Sequence, residues 1–287
     1  MTNNASYSAG SEFFDLAEHQ LNGESDYATH WGNFGHWQTA TTYPEACTSL
    51  AKLAGDAARL NQDSHLLDLG FGSGEQILYW FREYNIATYR GINVSESQTR
   101  FARAKIEADL VITQERAVLH HGDACALSAL YAAGVMSKTT DTPSGESRYP
   151  TAIIALDSAY HFSDRKAFFG QCANLLPHDG KLVLTDFGAR SNIALRMMAS
   201  TSRIPAANLI TIEDYLNQLQ RAGFRRLSVI DVTNDVFEPF RRWYADYRRQ
   251  YLSTQKTASL KFEVTSRFLA MASRSGWLQY YLITAEK

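Results

Sequence analysis

The sequence predicts an α/β fold with a mostly parallel sheet and helices on both of its faces. Seven short runs rich in apolar residues are typical of strands, and apolar residues at helical spacing occur between them. A turn with three alternating glycines follows the first run. Parallel strands need long crossover connections, so alternating strands and helices favour a parallel sheet. The predicted strands lie at residues 66–69, 89–95, 120–124, 152–157, 181–186, 226–232 and 278–285.

The glycine turn is the most informative element of the chain. Residues 66–75 read Leu-Leu-Asp-Leu-Gly-Phe-Gly-Ser-Gly-Glu. Glycine has no Cβ, so the backbone here can bend sharply and approach a ligand closely. The spacing is neither that of the dinucleotide-binding Gly-x-Gly-x-x-Gly loop nor that of a phosphate loop. The turn follows the carboxyl end of a strand, where open α/β sheets bind ligands, and a purely structural turn is the alternative.

The composition is that of an ordinary globular enzyme. A formal net charge of −2 gives no overall field that would attract nucleic acid or a membrane surface. Three widely spaced cysteines predict a reducing, cytoplasmic setting and no metal site. The polar N-terminus predicts no signal peptide, and no apolar run is long enough for stable membrane insertion. We expect a small-molecule substrate and no nucleic-acid partner, and the oligomeric state stays open.

The chain divides into a core and additions to it. An amphipathic helix is predicted around residues 12–18, and a second helix from Pro44 to Arg59. Thr211 and Asp214 are typical of the start of another helix. The predicted regions are a helical lid at 1–60 and a core at 61–287, with a loop insertion at 136–150 and a cap at 188–212.

Several motifs, in their order and spacing, resemble the class I S-adenosylmethionine-dependent methyltransferases from about residue 63 to the C-terminus. They are Leu-Asp-Leu-Gly-Phe-Gly-Ser-Gly at 67–74, Gly-Asp-Ala at 122–124, His-Phe-Ser-Asp-Arg at 161–165 and Leu-Leu-Pro-His-Asp-Gly at 175–180. Gly-Ile-Asn-Val-Ser at 91–95 and Trp-Gly-Asn-Phe-Gly-His-Trp at 31–37 are similar to segments of the sterol, cyclopropane-fatty-acid and natural-product branch. The resemblance implies a Rossmann-like, seven-stranded sheet with an antiparallel last strand. It also implies S-adenosyl-L-methionine as cofactor and S-adenosyl-L-homocysteine as product.

The resemblance also implies a set of cofactor-binding residues. The glycine turn would wrap the methionine portion. Asp68 would order that turn or reach the cofactor's ammonium through water, and capping of backbone amides is the alternative. Asp157 is more typical of a structural acceptor than of a base. The complete set is Asp68, Gly70, Phe71, Gly72, Gly74, Asn93, Val94, Gln98, Asp123, Ala124 and Asp157.

Two polar positions in this set would bind the nucleoside. Asn93 ends the second predicted strand and would bond the ribose hydroxyls, with Gln98 either helping or serving only in a helix capping box. Asp123 would accept a hydrogen bond from the adenine amino group, or be a turn residue only.

His161 is the candidate catalytic base. It follows the fourth predicted strand and precedes a helix that we expect Ser163 to cap. A neutral imidazole there could remove a proton from a hydroxyl. Asp186, at the predicted end of the neighbouring strand, could orient that imidazole. The alternative is that His161 caps the helix or packs under the lid.

Aromatic residues before the first strand favour a lid over cofactor and substrate, with ordinary core packing as the alternative. They are Tyr27, Trp31, Phe34 and Trp37. The leading hypothesis is O-methylation of a small, largely apolar molecule by in-line transfer with His161 as base. Carbon or nitrogen methylation is the alternative, as is a cyclase or binding protein on the same fold that transfers no methyl.

Overall fold

The computed structural model describes residues 29–132, 150–190, 193–251 and 258–287. Tyr27, the helix predicted around residues 12–18 and nearly all of the 136–150 insertion therefore lie outside the described residues. Within the described chain the strands form one sheet in the order β3-β2-β1-β4-β5-β7-β6. They are β1 (His65–Leu69), β2 (Thr88–Asn93), β3 (Ala117–His121), β4 (Ala152–Ala155), β5 (Lys181–Ala189), β6 (Arg226–Asp231) and β7 (Leu278–Glu286).

The sheet is parallel from β1 to β5, and β7 lies antiparallel between β5 and β6. This confirms the predicted mostly parallel sheet with an antiparallel last strand. The strand order reverses between β1 and β4, because β2 follows β1 on one side and β4 pairs with β1 on the other. A crevice at such a switch point, outside the carboxyl ends of the strands, is the usual ligand site of this architecture.

Helices pack on both faces and form two apolar cores. One core contains residues of α1, α2, α3, α6, α8 and α9, and the other contains residues of α4, α5 and α7. The helices are α1 (Tyr43–Ala58), α2 (Glu75–Tyr84), α3 (Glu96–Glu107), α4 (Leu127–Ala132), α5 (Arg165–Leu175), α6 (Ile193–Thr201), α7 (Ile212–Ala222), α8 (Thr233–Tyr251) and α9 (Ala258–Arg274). In the part of the chain described, none of them is long and apolar enough to cross a membrane.

Helix starts follow the predicted capping with one exception. Thr211 Oγ1 accepts from Asp214 N at 3.2 Å and begins α7, as predicted. Asp164, not Ser163, caps α5, because Asp164 Oδ1 accepts from Ala167 N at 2.9 Å. The fifth strand is also longer than predicted, since β5 continues to Ala189.

Candidate active site

One cavity of about 420 Å³ lies at the carboxyl ends of β1, β2 and β4. Its volume falls in the range usual for small-molecule sites. One end is formed by the glycine turn and by polar residues that follow β2 and β3. The other end is largely apolar. Its predicted lining residues are Trp31, Phe34, Gly70, Phe71, Gly72, Asn93, Val94, Gln98, Asp123, Ala124, Asp157 and His161.

The glycine turn has a backbone that only glycine adopts easily. Gly70, Gly72 and Gly74 have φ values of 84°, 59° and 89°, in the left-handed region. A Cβ on Gly70 would lie 2.5 Å from the Cβ of Ser158. A Cβ on Gly72 would meet no atom within 4 Å, since this glycine faces the cavity. Gly74, which precedes α2, lies outside the cavity wall. It packs closely against Ala102 of α3.

Asp68 lies below the turn and is fully buried, away from the cavity. Its carboxylate accepts from Gln76 Nε2 at 2.8 Å, Trp80 Nε1 at 2.9 Å and the Tyr89 hydroxyl at 3.2 Å. Burial raises the pKa of Asp68 to about 6. Its partners are side chains of α2 and β2, so it neither reaches the cavity nor caps backbone amides. Gln76, which it holds, lines the cavity and was not predicted.

The predicted ribose site is pre-arranged by its own hydrogen bonds. Asn93 Nδ2 donates to Gly72 O at 3.3 Å and to Gln98 Oε1 at 3.0 Å. These contacts use the amide hydrogens and leave the carbonyl oxygen as the group that can accept from a hydroxyl. Gln98 N also donates to the capping Ser95 Oγ at 3.3 Å, which is the Ser95 half of the predicted capping box, while the Gln98 side chain binds Asn93.

Asp123 follows β3 and lines the cavity together with Ala124. Its Oδ1 accepts from Cys125 N at 2.8 Å, which begins the short helical turn Ala124–Ala126. One carboxylate oxygen therefore serves the turn, and the other remains an acceptor. Side-chain-free glycines, an amide oxygen and a carboxylate along one wall fit the methionine, ribose and adenine parts of S-adenosyl-L-methionine.

Asp157 is a structural acceptor, as predicted, and it also lines the cavity. It accepts from Phe34 N at 3.0 Å, the Tyr160 hydroxyl at 3.0 Å and the Tyr280 hydroxyl at 2.5 Å. All three donors are neutral, and burial raises the pKa of Asp157 to about 7. The carboxylate ties the N-terminal segment to β7 beside the glycine turn.

His161 lies in the cavity wall, but Asp186 is not its partner. Asp186 is fully buried and accepts from Arg165 Nη1 at 2.9 Å and the Tyr215 hydroxyl at 2.8 Å. The prediction that Asp186 orients His161 is wrong because the Asp186 side chain lies on the face of β5 that holds Arg165 and Tyr215, opposite to the cavity. Successive side chains of a strand lie on opposite faces, and it is the next residue, Phe187, that lines the cavity. His161 Nδ1 instead lies 3.5 Å from Arg203 O.

The N-terminal segment crosses the cavity and is anchored at both ends. His30 N donates to Glu75 Oε1 at 3.3 Å, and Phe34 N is bound by Asp157. Trp31 and Phe34 line the cavity, as predicted. Trp37 does not; its Nε1 donates to Phe34 O at 2.9 Å and its ring packs near Trp243, with the ring centroids 5.6 Å apart. Trp37 therefore packs behind the N-terminal segment, between it and α8.

Much of the apolar wall was not predicted. Part of it comes from the segment after β5, where the spacing of Leu195 and Ala199 on one face of α6 was a usable signal. The rest comes from α8 and α9. Only the tertiary packing of these helices brings their side chains to the cavity, so no pattern in the neighbouring sequence indicates it. These unpredicted residues are Leu195, Ala199, Ile204, Leu209, Phe240, Phe268 and Leu269.

Comparison with known proteins agrees with this geometry. Residues 37–229 match the family model described as a methyltransferase domain. The chain is 27% identical to erythromycin 3''-O-methyltransferase of Saccharopolyspora erythraea over 90% of this chain and 79% of that protein. It is 28% identical to 27-O-demethylrifamycin SV methyltransferase of Amycolatopsis mediterranei, over 96% and 94% of the two chains.

A solved structure shares the fold. Mycolic acid cyclopropane synthase CmaA1, complexed with S-adenosyl-L-homocysteine (SAH) and CTAB, superimposes with a TM-score of 0.69. It is 16% identical and covers 96% of this chain and 99% of its own, so the likeness concerns the fold alone. The chain belongs to the methyltransferase-domain family and is an S-adenosyl-L-methionine-dependent methyltransferase.

Proposed function

We propose that this enzyme methylates a hydroxyl group of a small, largely apolar natural product, and that His161 accepts the hydroxyl proton. One observation carries the proposal. A single cavity joins the cofactor-fitting wall at Gly72, Asn93 and Asp123 to an apolar chamber, and His161 lies in the same cavity. Cofactor and acceptor could therefore meet within one cavity.

The wall residues have distinct parts in this proposal. Bound S-adenosyl-L-methionine supplies an electrophilic methyl group. The glycine turn and Asn93 fix the direction of approach, because in-line attack needs reacting atoms about 3 Å apart. Apolar residues such as Phe187 and Leu209 exclude water, which favours a reaction in which charge is neutralised.

His161 has a suitable environment for a base. A proton on Nδ1 would face Arg203 O, 3.5 Å away, and would leave Nε2 as an acceptor. Nε2 could then take the proton of an attacking hydroxyl. Two relatives are named for O-methyl transfer or for an O-demethylated substrate, which supports oxygen as the nucleophile.

We further propose that the segment before β1 acts as a lid and residues 188–212 as a cap over the acceptor. The anchoring of Phe34 by Asp157 supports the lid, and the lining residues Leu195 and Ile204 support the cap. Cys47, Cys125 and Cys172 are all free thiols, which supports a reducing, cytoplasmic setting. The net charge of −2 supports a small-molecule substrate and no nucleic-acid partner.

The test is transfer of a labelled methyl group from S-adenosyl-L-methionine to hydroxylated natural products, beginning with 27-O-demethylrifamycin SV. Mass spectrometry finds the product, and NMR locates the methyl on oxygen. We expect His161→Ala to slow transfer at least about tenfold. His178→Ala, whose side chain is 80% exposed, is the matched control and keeps the wild-type rate.

Three results would contradict the proposal. Label on carbon or nitrogen would establish the alternative acceptors. Conversion of a substrate without gain of a methyl group would indicate a cyclase. A wild-type rate in His161→Ala would remove His161 as base.

A further inference from the structure

The side chain of Asn208 hydrogen-bonds to the backbone on both sides of His161. It ends the short helical turn Ala206–Asn208 in the cap and is only 4% exposed. Its Nδ2 donates to Tyr160 O at 3.0 Å and to Phe162 O at 2.8 Å. Both partners are carbonyl oxygens, so the amide nitrogen must face them and the orientation of the side chain is fixed.

These two carbonyls need an outside donor. His161 belongs to the short helical turn Ala159–His161, in which Phe162 N donates to Ala159 O at 3.1 Å. The last carbonyls of a helical turn have no partner within it, and a buried carbonyl without a donor costs about 1–3 kcal/mol. Asn208 supplies both missing donors from the cap.

Asn208 is itself held by a buried ion pair. Arg165 Nη2 donates to Asn208 O at 3.0 Å, while Nη1 of the same guanidinium donates to Asp186 at 2.9 Å. The side chains of Arg165 and Asp186 are 1% and 0% exposed. Asp186 thus connects to the backbone of His161 through Arg165 and Asn208, although it does not orient the imidazole directly.

We propose that Asn208 is a positioning residue that fixes His161 for proton transfer. The inference rests on the proposed function, in which His161 is the base. The same cap segment carries Ile204 and Leu209 into the apolar wall and places Arg203 O beside His161 Nδ1. The hydrogen bonds of Asn208 therefore fix the position of His161 together with part of the apolar wall. A displacement of about 1 Å in such an arrangement can cost roughly 100-fold in rate.

The test replaces Asn208 by leucine, which keeps similar bulk without donors. Asn217→Leu, on the exposed side of α7, is the matched control. The readout is the imidazole Cε1–H NMR signal of His161 in the SAH-bound protein, identified by its loss in His161→Gln. We expect the signal to shift or broaden in Asn208→Leu and to stay unchanged in Asn217→Leu. Asn208→Asp has the same shape but no side-chain N–H groups, and we expect it to shift or broaden the His161 signal as well. It replaces Asn208→Leu in the test if the leucine variant does not fold.

Kinetics then separate positioning from general damage. Asn208→Leu should lower the methyl-transfer rate about tenfold, with SAH affinity unchanged within about twofold, and should add no further loss to His161→Gln. An unchanged His161 signal, or losses that add to those of His161→Gln, overturns the inference. Undiminished transfer in His161→Gln overturns the proposed base instead, so the two failures are distinguishable.

Discussion

Gly70 is a residue of the glycine turn at which an added side chain would clash with its surroundings. A Cβ would lie 2.5 Å from Ser158 Cβ and 2.8 Å from its Oγ, and the φ of +84° is itself unfavourable for alanine. We expect Gly70→Ala to weaken SAH binding at least about tenfold, because a cost of about 1.4 kcal/mol corresponds to that factor. Isothermal titration calorimetry measures it.

Gly170→Ala in α5 is the matched control for Gly70→Ala. A Cβ at Gly170 meets no atom within 4 Å, and the helical backbone favours alanine. This variant should bind SAH as the wild type does. Equal SAH affinity in the two variants would mean that the turn is not part of the cofactor site.

Asp157 gives the stability of the enzyme a pH dependence with a definite sign. Burial raises its pKa from 3.8 to about 7, so the folded state disfavours the ionised carboxylate. Its unfavourable contribution is absent below the ordinary pKa, grows as the pH rises and is complete above about 7. The stability of wild type relative to Asp157→Asn should therefore fall with rising pH across this interval. Thermal unfolding of both proteins over that range tests it, and a difference that is constant or rises with pH would contradict it.

At the scale of elements, the buried Arg165–Asp186 pair fastens α5 to β5. Removal of one member leaves an uncompensated charge in the core, so we expect Arg165→Ala to destabilise the fold by about 3–5 kcal/mol. Arg100→Ala is the matched control, since Arg100 and Glu96 are 56% and 61% exposed. It should cost less than about 1 kcal/mol. Urea unfolding measures both, and equal losses would show that burial of the pair contributes nothing.

Elements with local signals were predictable, and their exact ends were less so. The glycine turn, the capped helix after Thr211 and the alternating strands all depend on neighbouring residues in the sequence. The predicted end of β5 lies three residues before the observed one. The face of Asp186 is a separate error, because side chains alternate across a sheet and it is Phe187 that lines the cavity. Ser163 was likewise preferred over Asp164, although both residue types cap helices well.

At the scale of the whole molecule, the cavity joins parts of the chain that are distant in sequence. The N-terminal segment, the β1–α2 turn, the cap and α8–α9 each contribute to its wall. Phe240 and Phe268 could not be predicted as lining residues, because only the packing of α8 and α9 against the sheet brings them there. The sequence thus predicted the polar wall of the cavity better than its apolar wall.

Ligand binding should therefore protect several separate segments together. We expect SAH to slow amide hydrogen exchange at residues 30–34 and 70–73, all of which line the cavity. Strand β6, which contributes no lining residue, is the internal control. Hydrogen exchange with mass spectrometry measures both regions. Protection spread equally over β6 would indicate general stabilisation instead of binding in the cavity.

A crystal structure of the enzyme with SAH is the decisive measurement for the cofactor site. We expect the adenine beside Asp123, the ribose on Asn93, and the homocysteine on the turn at Gly70 and Gly72, with the sulfur facing the apolar chamber that contains His161. SAH bound outside this cavity, or with its sulfur turned away from the chamber, would show that the glycine turn and the apolar chamber do not form one methyl-transfer site.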